Sequence, residues 1–321
     1  MTLNEIFRGI DSARIGIIGD FCLDAYWTAD MTQSEISREV PHFPLPIVDE
    51  RMSPGGAGNV ACNLAALGPK KVYAIGMTGK DWRGAALRGL LEDAGVDTSM
   101  FLASEKRVTP AYIKPLRKGL TDVVYEDPRL DFEDRKPMEA EDEKRLIEAL
   151  GSLDVDVLCV GDQLKFGCIT PAVREKICEM ARSGLTVIVD SRDRIALYED
   201  VIVKPNEVEA ARALNTEGAY EYIALKLSEK TRRPAIVTLG GEGCLVSENG
   251  KVTAVPARKV EPPIDICGAG DTFMSALACA YAAGASLTEA AWFANTASSI
   301  TIKKINMTGT ASREEMEKAW D

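Results

Sequence analysis

Short runs of β-branched and other apolar residues alternate with helical patterns along most of this chain. Residues 15–18, Ile-Gly-Ile-Ile, are typical: the apolar run stops at Gly19 and Asp20, as a strand buried on both faces does. Strands that alternate with helices build a mostly parallel sheet with helices on its faces. The sequence therefore predicts an α/β fold. The predicted strands cover residues 15–18, 72–75, 155–160, 185–189, 201–203, 235–238, 244–246 and 252–255. The predicted helices cover residues 59–67, 84–94, 171–183 and 272–283, and two more begin near residues 207 and 286.

Two segments, residues 24–51 and 107–125, interrupt this alternation. Both contain aromatic residues and prolines without a helical period, and each lies between strand–helix units. We expect them to pair into a small sheet that projects from the main domain as a lid. With 321 residues and 46% hydrophobic content, the chain suits one large domain of this kind. We interpret residues 1–321 as a single domain with a lid inserted in two pieces.

Charge and composition narrow the classes of partner. The net charge of −11 would repel nucleic-acid phosphates, so no nucleic-acid partner is expected. An anionic nucleotide would need local donors and a divalent ion. The eight cysteines contain no C-x-x-C pair, which favours buried thiols in a reducing cytoplasm. The chain shows neither a signal-peptide pattern nor an apolar stretch of membrane-spanning length, so we expect a cytoplasmic protein without a membrane partner.

Residues 265–271, Asp-Ile-Cys-Gly-Ala-Gly-Asp, precede an apolar helix and carry the clearest chemical signal. Small residues let the backbone turn tightly, and unpaired N–H groups at the positive end of a helix dipole form an anion site. A carboxylate such as Asp271 is unexpected there unless it handles a proton. His42 is the single histidine, so carboxylates must carry any acid–base chemistry. The segment predicts phosphoryl transfer; the alternative is a tight connection in which Asp271 only caps the helix.

A second glycine cluster, residues 54–61 (Pro-Gly-Gly-Ala-Gly-Asn-Val-Ala), also leads into a helix. It fits the dinucleotide fingerprint G-x-G-x-x-A, with Asp81 about twenty residues further on. It follows a proline-rich segment, however, rather than the first strand of a strand–helix–strand unit. The other interpretation is close approach of bare backbone to sugar hydroxyls, with Asn59 as donor and acceptor and Asp24 as an acceptor.

Two more clusters lie at predicted strand ends, where open α/β sheets bind ligands. Residues 204–209, Lys-Pro-Asn-Glu-Val-Glu, place Asn206 and Glu209 on one helical face; the alternative is a capping box. Residues 238–243, Thr-Leu-Gly-Gly-Glu-Gly, suit contact with phosphate or ribose, or form a plain turn. The Walker sequence G-x-x-x-x-G-K-[ST] is absent from the chain, which excludes a P-loop enzyme.

Four motifs follow one another along the chain, at residues 54–61, 204–209, 238–243 and 265–271. Their types and their order resemble those of the ribokinase (PfkB) family of carbohydrate kinases. The resemblance extends from about residue 14 to residue 312. Residues 19–27 and 129–133 are most similar to the kinase part of bacterial D-glycero-D-manno-heptose-7-phosphate kinases. The resemblance implies a ribokinase-like three-layer fold with a mostly parallel central sheet and a small β lid. It also implies ATP-dependent phosphorylation of a hydroxyl on a sugar or sugar phosphate.

The resemblance further implies a role for each motif. Asp271 is the expected base that takes the proton of the acceptor hydroxyl. The N–H groups expected to meet the transferred phosphoryl group are those of Gly268, Ala269 and Gly270. The expected acceptor-binding residues are Asp24, Gly55, Gly56, Asn59, Arg129, Asp162 and Lys165. The expected nucleotide-binding residues are Lys204, Asn206, Thr238, Gly240, Gly243 and Asn295. Glu209 is expected to position Mg²⁺ through water, and Asp265 is the candidate ligand for a monovalent cation, K⁺.

Three other functions remain open at this point. The same fold serves kinases that phosphorylate nucleosides or other ribosyl compounds. A non-catalytic protein that senses sugars or nucleotides is a second alternative, against which the intact Asp271 argues. A dinucleotide-dependent oxidoreductase is the third, and it rests on residues 56–58 alone. Exposed lid strands would also allow pairing between subunits, as in related kinases, so we expect a homodimer through the lid.

Overall fold

The structure, a computed structural model, describes residues 1–320. These residues form a nine-stranded sheet, a five-stranded sheet and ten α-helices. The strands are β1 (Arg14–Gly19), β2 (Phe21–Asp30), β3 (Ile47–Gly56), β4 (Lys71–Gly79), β5 (Phe101–Ser104), β6 (Ala111–Lys118), β7 (Val124–Glu126), β8 (Leu130–Phe132), β9 (Val157–Asp162), β10 (Thr186–Ser191), β11 (Ile202–Val203), β12 (Ala235–Thr238), β13 (Cys244–Glu248) and β14 (Lys251–Val255). The helices are α1 (Leu3–Ile10), α2 (Ala57–Leu67), α3 (Trp82–Asp93), α4 (Ala140–Gly151), α5 (Pro171–Arg182), α6 (Glu207–Leu214), α7 (Tyr220–Thr231), α8 (Ala269–Ala282), α9 (Leu287–Thr301) and α10 (Arg313–Ala319).

The large sheet has the strand order β14-β13-β12-β11-β10-β9-β1-β4-β5. All neighbours from β12 to β5 are parallel, and β13 and β14 add an antiparallel hairpin at one edge. The central strand β1 pairs with β4 and β9, so Ile17 stands beside Ala74 and Cys159. The predicted α/β fold with a mostly parallel sheet is confirmed.

Helices cover both faces of this sheet. Ile15 and Ile17 belong to the hydrophobic core that includes α8 and α9. Ile18 belongs to a second core, which includes α5 and α7. Alternate residues of a strand point to opposite faces, so the two cores lie on opposite sides of the sheet. The arrangement is a three-layer structure, as expected.

The small sheet is defined here as β2, β3, β6, β7 and β8. Its order is β3-β2-β6-β7, and β8 also pairs with β6. The segments predicted as a lid, residues 24–51 and 107–125, supply most of it. The sheet extends beyond them, because β2 begins at Phe21, β3 continues to Gly56 and β8 lies further along the chain. Since β3 runs directly into α2, the small sheet is joined to the main domain at the glycine cluster.

Two further observations concern the cysteines and the lengths of the helices. All eight cysteines are free thiols, and six of them are buried. Among residues 1–320, no helix has the length and apolar character needed to cross a membrane.

Candidate active site

A cavity of about 710 Å³ lies at the carboxyl ends of the parallel strands. The small sheet forms one wall through β2, β3 and β6, and the start of α8 forms another. This is the edge at which open α/β sheets bind ligands. The sequence-predicted residues that line the cavity are Asp24, Gly55, Gly56, Asn59, Lys204, Asn206, Glu209, Thr238, Gly240, Gly243, Gly268, Ala269, Gly270, Asp271 and Asn295.

The start of α8 presents unpaired N–H groups to this cavity. The helix begins at Ala269, three residues before the predicted start, because Gly268 enters it with a φ of 77°. Among the described residues, the N–H groups of Gly268, Gly270 and Asp271 have no backbone acceptor. The N–H of Ala269 donates to the carbonyl of Ile266 at 3.1 Å. The expectation that Ala269 donates to a phosphoryl group is thereby corrected, since this turn already uses its N–H.

Asp271 lies in the first turn of α8, and α2 holds its carboxylate. The Asn59 side chain donates to Asp271 Oδ2 at 2.8 Å. Asn63 orients Asn59 by donating to its Oδ1 at 3.1 Å, and Thr272 donates to Asn63 at 3.0 Å. Burial raises the pKa of Asp271 to about 6, with a further rise from Asp190 and an opposing effect of Asn59. The carboxylate is thus a stronger base than an exposed aspartate.

A buried ion pair lies beside the unpaired N–H groups. Lys204 is 2% exposed, and its Nζ lies 2.9 Å from Asp190 Oδ2. Burial disfavours the charged ammonium, but Asp190 prevails and keeps the pKa of Lys204 above its usual value. A Cβ placed on Gly270 would lie 3.9 Å from Lys204 Nζ. The ammonium therefore adds positive charge to the anion site.

Asn206 and Glu209 form the capping box that the sequence left open as an alternative. Asn206 Oδ1 accepts the N–H of Glu209, and Glu209 Oε2 accepts the N–H of Asn206, both at 2.9 Å. Both residues nevertheless line the cavity, and Oε1 of Glu209 remains available. Burial and the neighbouring Asp190 raise the pKa of Glu209.

The few oxygen donors near Glu209 suit a metal ion that is bound mostly by water and substrate phosphates rather than by protein side chains. In the described part of the chain, no group of three or more histidine, cysteine or carboxylate side chains could hold a metal ion alone. Mg²⁺ usually takes one or two carboxylates and fills its other positions with water and substrate phosphates. Glu209 and its surroundings fit that mode of binding.

Two glycines bring backbone close to acidic residues at the small-sheet end of the cavity, Gly55 to the Asp24 carboxylate and Gly56 to the carbonyl oxygen of Asp20. A Cβ on Gly55 would lie 2.3 Å from Asp24 Oδ2, so only glycine leaves room for the carboxylate. Gly56 has a φ of 55° and leads into α2. Burial raises the pKa of Asp24, and Lys114 and Arg129 oppose that rise.

Small residues and backbone line the opposite end of the cavity. Gly243 has a φ of 99°, and a Cβ there would lie 2.1 Å from the carbonyl oxygen of Val255. The Asn295 side chain donates to the carbonyls of Val255 and Pro256 at 3.2 and 3.1 Å. Together with Thr238, Gly243 and Asn295 line this end of the cavity, where the sequence predicts the nucleotide.

Three predicted acceptor-binding residues lie outside the cavity lining. Asp162 is 1% exposed, and its carboxylate accepts from Arg194, Ser191 and Tyr198. Protein groups therefore already occupy it, which argues against the predicted contact with substrate. Lys165 lies over the ring of the adjacent Phe166 and lines a neighbouring pocket. Arg129 pairs with Asp131 at 2.6 Å on the small sheet.

The dinucleotide fingerprint is not in the place that its function requires. Of the two fingerprint glycines, Gly56 ends β3, which pairs with β2 in an antiparallel manner in the small sheet, and Gly58 follows in α2. A dinucleotide site needs these glycines after the first parallel strand of a strand–helix–strand unit. Asp81, the expected acidic partner, instead caps α3 by accepting the N–H of Gly84 at 3.0 Å. The oxidoreductase hypothesis is therefore wrong.

Several cavity residues were missed by the sequence reasoning. Asp20, Gln163 and Asp190 follow or end parallel strands, so their positions gave a signal that could have found them. Asp20 is 4% exposed and accepts the N–H groups of Gln163, Leu164 and Cys168 at 2.7–2.9 Å. It holds the loop after β9 against the cavity. Tyr112 of β6 gave no such signal, because its place depends on the pairing of β6 with β2.

Known proteins resemble the chain in sequence and in structure. The sequence model of the pfkB family carbohydrate kinases matches residues 46–313. The bifunctional protein HldE of Caulobacter vibrioides is 36% identical over 324 residues, which cover 94% of this chain and 62% of the relative. HldE of Shewanella piezotolerans is 34% identical over 332 residues, covering 98% and 65%. The chain thus spans less than two thirds of the length of these relatives.

Solved structures show the same fold. Phosphofructokinase-2 of Escherichia coli, in complex with substrates and products, has a TM-score of 0.75 at 22% identity and covers 96% of this chain and 98% of its own. Ribokinase of Thermotoga maritima has a TM-score of 0.70 at 23% identity, covering 96% and 99%. The expected ribokinase-like fold is confirmed.

Proposed function

The chain belongs to the pfkB family of carbohydrate kinases, and we propose that its acceptor is a sugar phosphate. Family membership implies ATP as phosphoryl donor together with a divalent cation, for which we propose Mg²⁺. One observation carries the proposal: a single cavity contains the proposed nucleotide end, the anion site and an acceptor end on the small sheet. Asp271 lies between the two ends. A cytoplasmic location agrees with the free cysteines.

Asp271 is the proposed general base. Its pKa of about 6 leaves it ionised at neutral pH, yet more basic than an exposed aspartate. The hydrogen bond from Asn59 fixes one carboxylate oxygen and leaves the other free for the acceptor hydroxyl. Such assistance contributes roughly 10²–10⁴ in rate.

The N–H groups of Gly268, Gly270 and Asp271 are proposed to receive the charge of the transferred phosphoryl group. They have no backbone acceptor among the described residues, so they need no rearrangement when that charge develops. Each donor of this kind is worth about 3 kcal/mol. The Lys204 ammonium lies next to Gly270 and would add electrostatic attraction.

Glu209 and Asn206 are proposed to position Mg²⁺ through water. The ion would neutralise charge on the donor phosphates. For a monovalent cation such as K⁺, Asp265 is the proposed ligand. Its two oxygens accept the N–H groups of Cys267 and Asn306 at 3.0 and 3.1 Å, and each oxygen retains a lone pair.

A cation on the small sheet, Lys114, favours an anionic acceptor. Lys114 Nζ lies 5.2 Å from the centre of the Tyr26 ring, and none of the described carboxylates forms an ion pair with it. The positive charge of Lys114 acts to lower the pKa of Asp24 and of Cys267, which both line the cavity. The Arg129 guanidinium carbon lies 4.5 Å from the Tyr112 ring centre. Asp131 already pairs with Arg129 at 2.6 Å, so Lys114 is the cation that remains for a substrate group. In a chain of net charge −11, this cation beside the acceptor end suits a phosphate on the acceptor.

The test is a panel of acceptors with Mg-ATP and the purified protein. It contains heptose, fructose and ribose, each with and without a phosphate group, and a nucleoside. We expect ADP release to be fastest with a phosphorylated sugar. A preference for a free sugar or a nucleoside would replace the proposed acceptor class. Absence of ADP release with every acceptor would contradict kinase activity.

Lys114→Met tests the anionic contact directly. We expect kcat/KM for the preferred sugar phosphate to fall roughly 10- to 100-fold, as for loss of one charged contact. The corresponding free sugar should be affected little. Lys118→Met is the matched control, because Lys118 lies on the same strand but pairs with the far end of β2, beside Asp30.

A further inference from the structure

Arg51 joins the small sheet to the loop that follows α9. It lies on β3, and its Nη2 donates to the carbonyl oxygen of Asn306 at 2.7 Å. The guanidinium carbon lies 4.3 Å from the ring centre of Tyr26, its partner on β2. This stacking restricts the direction of the guanidinium. The contact therefore ties the position of the small sheet to that of Asn306.

Asp265 connects Asn306 to the anion site. Its Oδ2 accepts the N–H of Asn306 at 3.1 Å, and its Oδ1 accepts the N–H of Cys267 at 3.0 Å. Its own N–H donates to the carbonyl of Ile302 at 2.8 Å. One carboxylate thus holds two segments of chain, with one oxygen for each. Asn306 has a φ of 60°, a conformation that asparagine tolerates but that needs support from its surroundings.

Cys267 connects Asp265 to the N–H groups of the anion site. It is followed directly by Gly268, whose φ of 77° turns the chain into α8. A Cβ on Gly268 would lie 2.7 Å from Asn59 Nδ2, so the loop packs closely against the side chain that orients Asp271. A displacement of Cys267 would therefore move the donors that the reaction uses.

We propose that Arg51 is a positioning residue: through Asn306 and Asp265 it holds the anion site in its working geometry when the small sheet lies against the cavity. The inference rests on the role proposed above for the N–H groups at the start of α8. Its consequence is that the sheet which binds the acceptor also adjusts the site that receives the phosphoryl group.

Kinetics of Arg51 variants provide the first test. Arg51→Met keeps the apolar stem but removes the donor, and we expect kcat to fall about three- to tenfold. The KM for ATP should change little, because the lost geometry matters most in the transition state. Arg51→Lys retains a charge and a donor and should restore part of kcat. The matched control is Arg117→Met, since Arg117 lies on β6 of the same sheet and pairs with Asp127 at 2.6 Å. Equal kcat values for Arg51→Met and Arg117→Met would overturn the proposal.

A double-mutant cycle tests the path through Asp265. If Arg51 acts through that carboxylate, Arg51→Met together with Asp265→Asn should lower kcat no further than the more damaging single change. Effects on kcat that multiply would show that the two residues act separately. The proposed path from Arg51 through Asn306 and Asp265 would then be wrong.

Labelling of Cys267 gives a readout that does not depend on the acceptor. Cys267 is the one exposed cysteine of the described residues, and its N–H donates to Asp265. We expect Arg51→Met to speed its alkylation by iodoacetamide at least about twofold, measured by mass spectrometry of the whole protein without substrates. Half-buried Cys62 on α2 is the internal reference and should label at an unchanged rate. An unchanged labelling rate at Cys267 would contradict the proposed path from Arg51 to Cys267. This outcome does not depend on which acceptor the enzyme uses.

Discussion

At the scale of the residue, Asp271 shows how one carboxylate is prepared for proton transfer. Burial in the cavity and the nearby carboxylate of Asp190 raise its pKa to about 6, while Asn59 and Lys204 limit the rise. The balance matters, because a fully isolated carboxylate would stay protonated and an exposed one would be too weak a base. The same environment imposes a cost in stability.

Asp271→Asn should separate catalysis from binding. The amide preserves size and can still accept from Asn59, but it cannot take a proton. We expect ATP to bind normally while kcat falls at least about 10²-fold. In the parent protein, kcat/KM for the acceptor should fall as the pH drops through about 6, the pKa of Asp271. A pH–rate profile and nucleotide titration measure both. Unchanged kcat in Asp271→Asn would remove the residue from its role.

The same variant should be more stable at neutral pH. The folded pKa of about 6 exceeds the usual 3.8, so the carboxyl group stabilises the folded state fully only below pH 4. That contribution is lost as the pH rises towards 6. We expect Asp271→Asn to gain roughly 1–2 kcal/mol at pH 7, and to lose this advantage at pH 4. Denaturant unfolding at the two pH values provides the measurement.

At the scale of the element, helix α8 shows why a boundary can carry function. The apolar pattern predicted its body but placed its start at residue 272, whereas the helix begins at Ala269. The difference comes from Gly268, which turns the chain in a left-handed conformation that a hydrophobic pattern does not encode. Two of the three added residues, Gly270 and Asp271, present N–H groups without a backbone acceptor to the cavity, as Gly268 does.

Alanine at the two glycines that flank α8 should have different effects. Gly268 and Gly284 have φ values of 77° and 91°, so alanine strains the backbone at both. A Cβ at Gly284 meets no atom within 4 Å, whereas at Gly268 it would lie 2.7 Å from Asn59 Nδ2. We expect each change to cost about 1 kcal/mol of stability. Only Gly268→Ala should also lower kcat, by at least about tenfold.

Thermal unfolding and steady-state kinetics of the two glycine variants check this expectation. The kinetic loss follows from displacement of Asn59, which orients the base. If Gly284→Ala lowered kcat as much as Gly268→Ala, general strain in α8 would explain the result instead of local crowding.

Local sequence signals identified most elements of the large sheet but not every helix. Helices α1, α4, α7 and α10 were not predicted. Two of them, α1 and α10, begin with capping boxes, at Thr2 with Glu5 and at Ser312 with Glu315. Those pairs are readable in the sequence, because the two residues lie three positions apart. The bounds of the small sheet were not readable. Strand β8 exists only because Tyr112 and Asp131, far apart in the chain, pair with each other.

At the scale of the whole molecule, the strand ends decide which polar residues reach the site. The sequence could predict that carboxylates after parallel strands gather at one edge. The sequence could not predict which side chains contact each buried carboxylate. Asp162 ends β9 just as Asp190 lies near the end of β10, yet Arg194 and Tyr198 enclose Asp162, whereas Asp190 pairs with Lys204 beside the cavity. Such networks depend on contacts between distant elements, and a single sequence does not show them.

The small sheet also leads to the expectation of a homodimer. Its edge strands β3 and β7 have no further strand beside them in the described residues, and Val124 and Tyr125 of β7 are 53% and 62% exposed. Exposed apolar side chains on an open edge favour pairing with a second copy of the chain. We propose that two small sheets meet in this way, which would bring two acceptor sites close to the interface.

Sedimentation velocity of charged variants tests this arrangement. We expect the parent protein to sediment as a dimer and Tyr125→Lys to sediment as a monomer, because a buried charge without a partner opposes association. Leu197→Lys is the matched control: Leu197 is 57% exposed, but it lies in the main domain after β10. It should leave the dimer intact. A parent protein that stays monomeric at all concentrations, or a dimer that Leu197→Lys disrupts equally well, would show that the small sheet is not the interface. In the first case each cavity would work alone, and only contacts within one chain, such as that of Arg51 with Asn306, would couple the small sheet to the anion site.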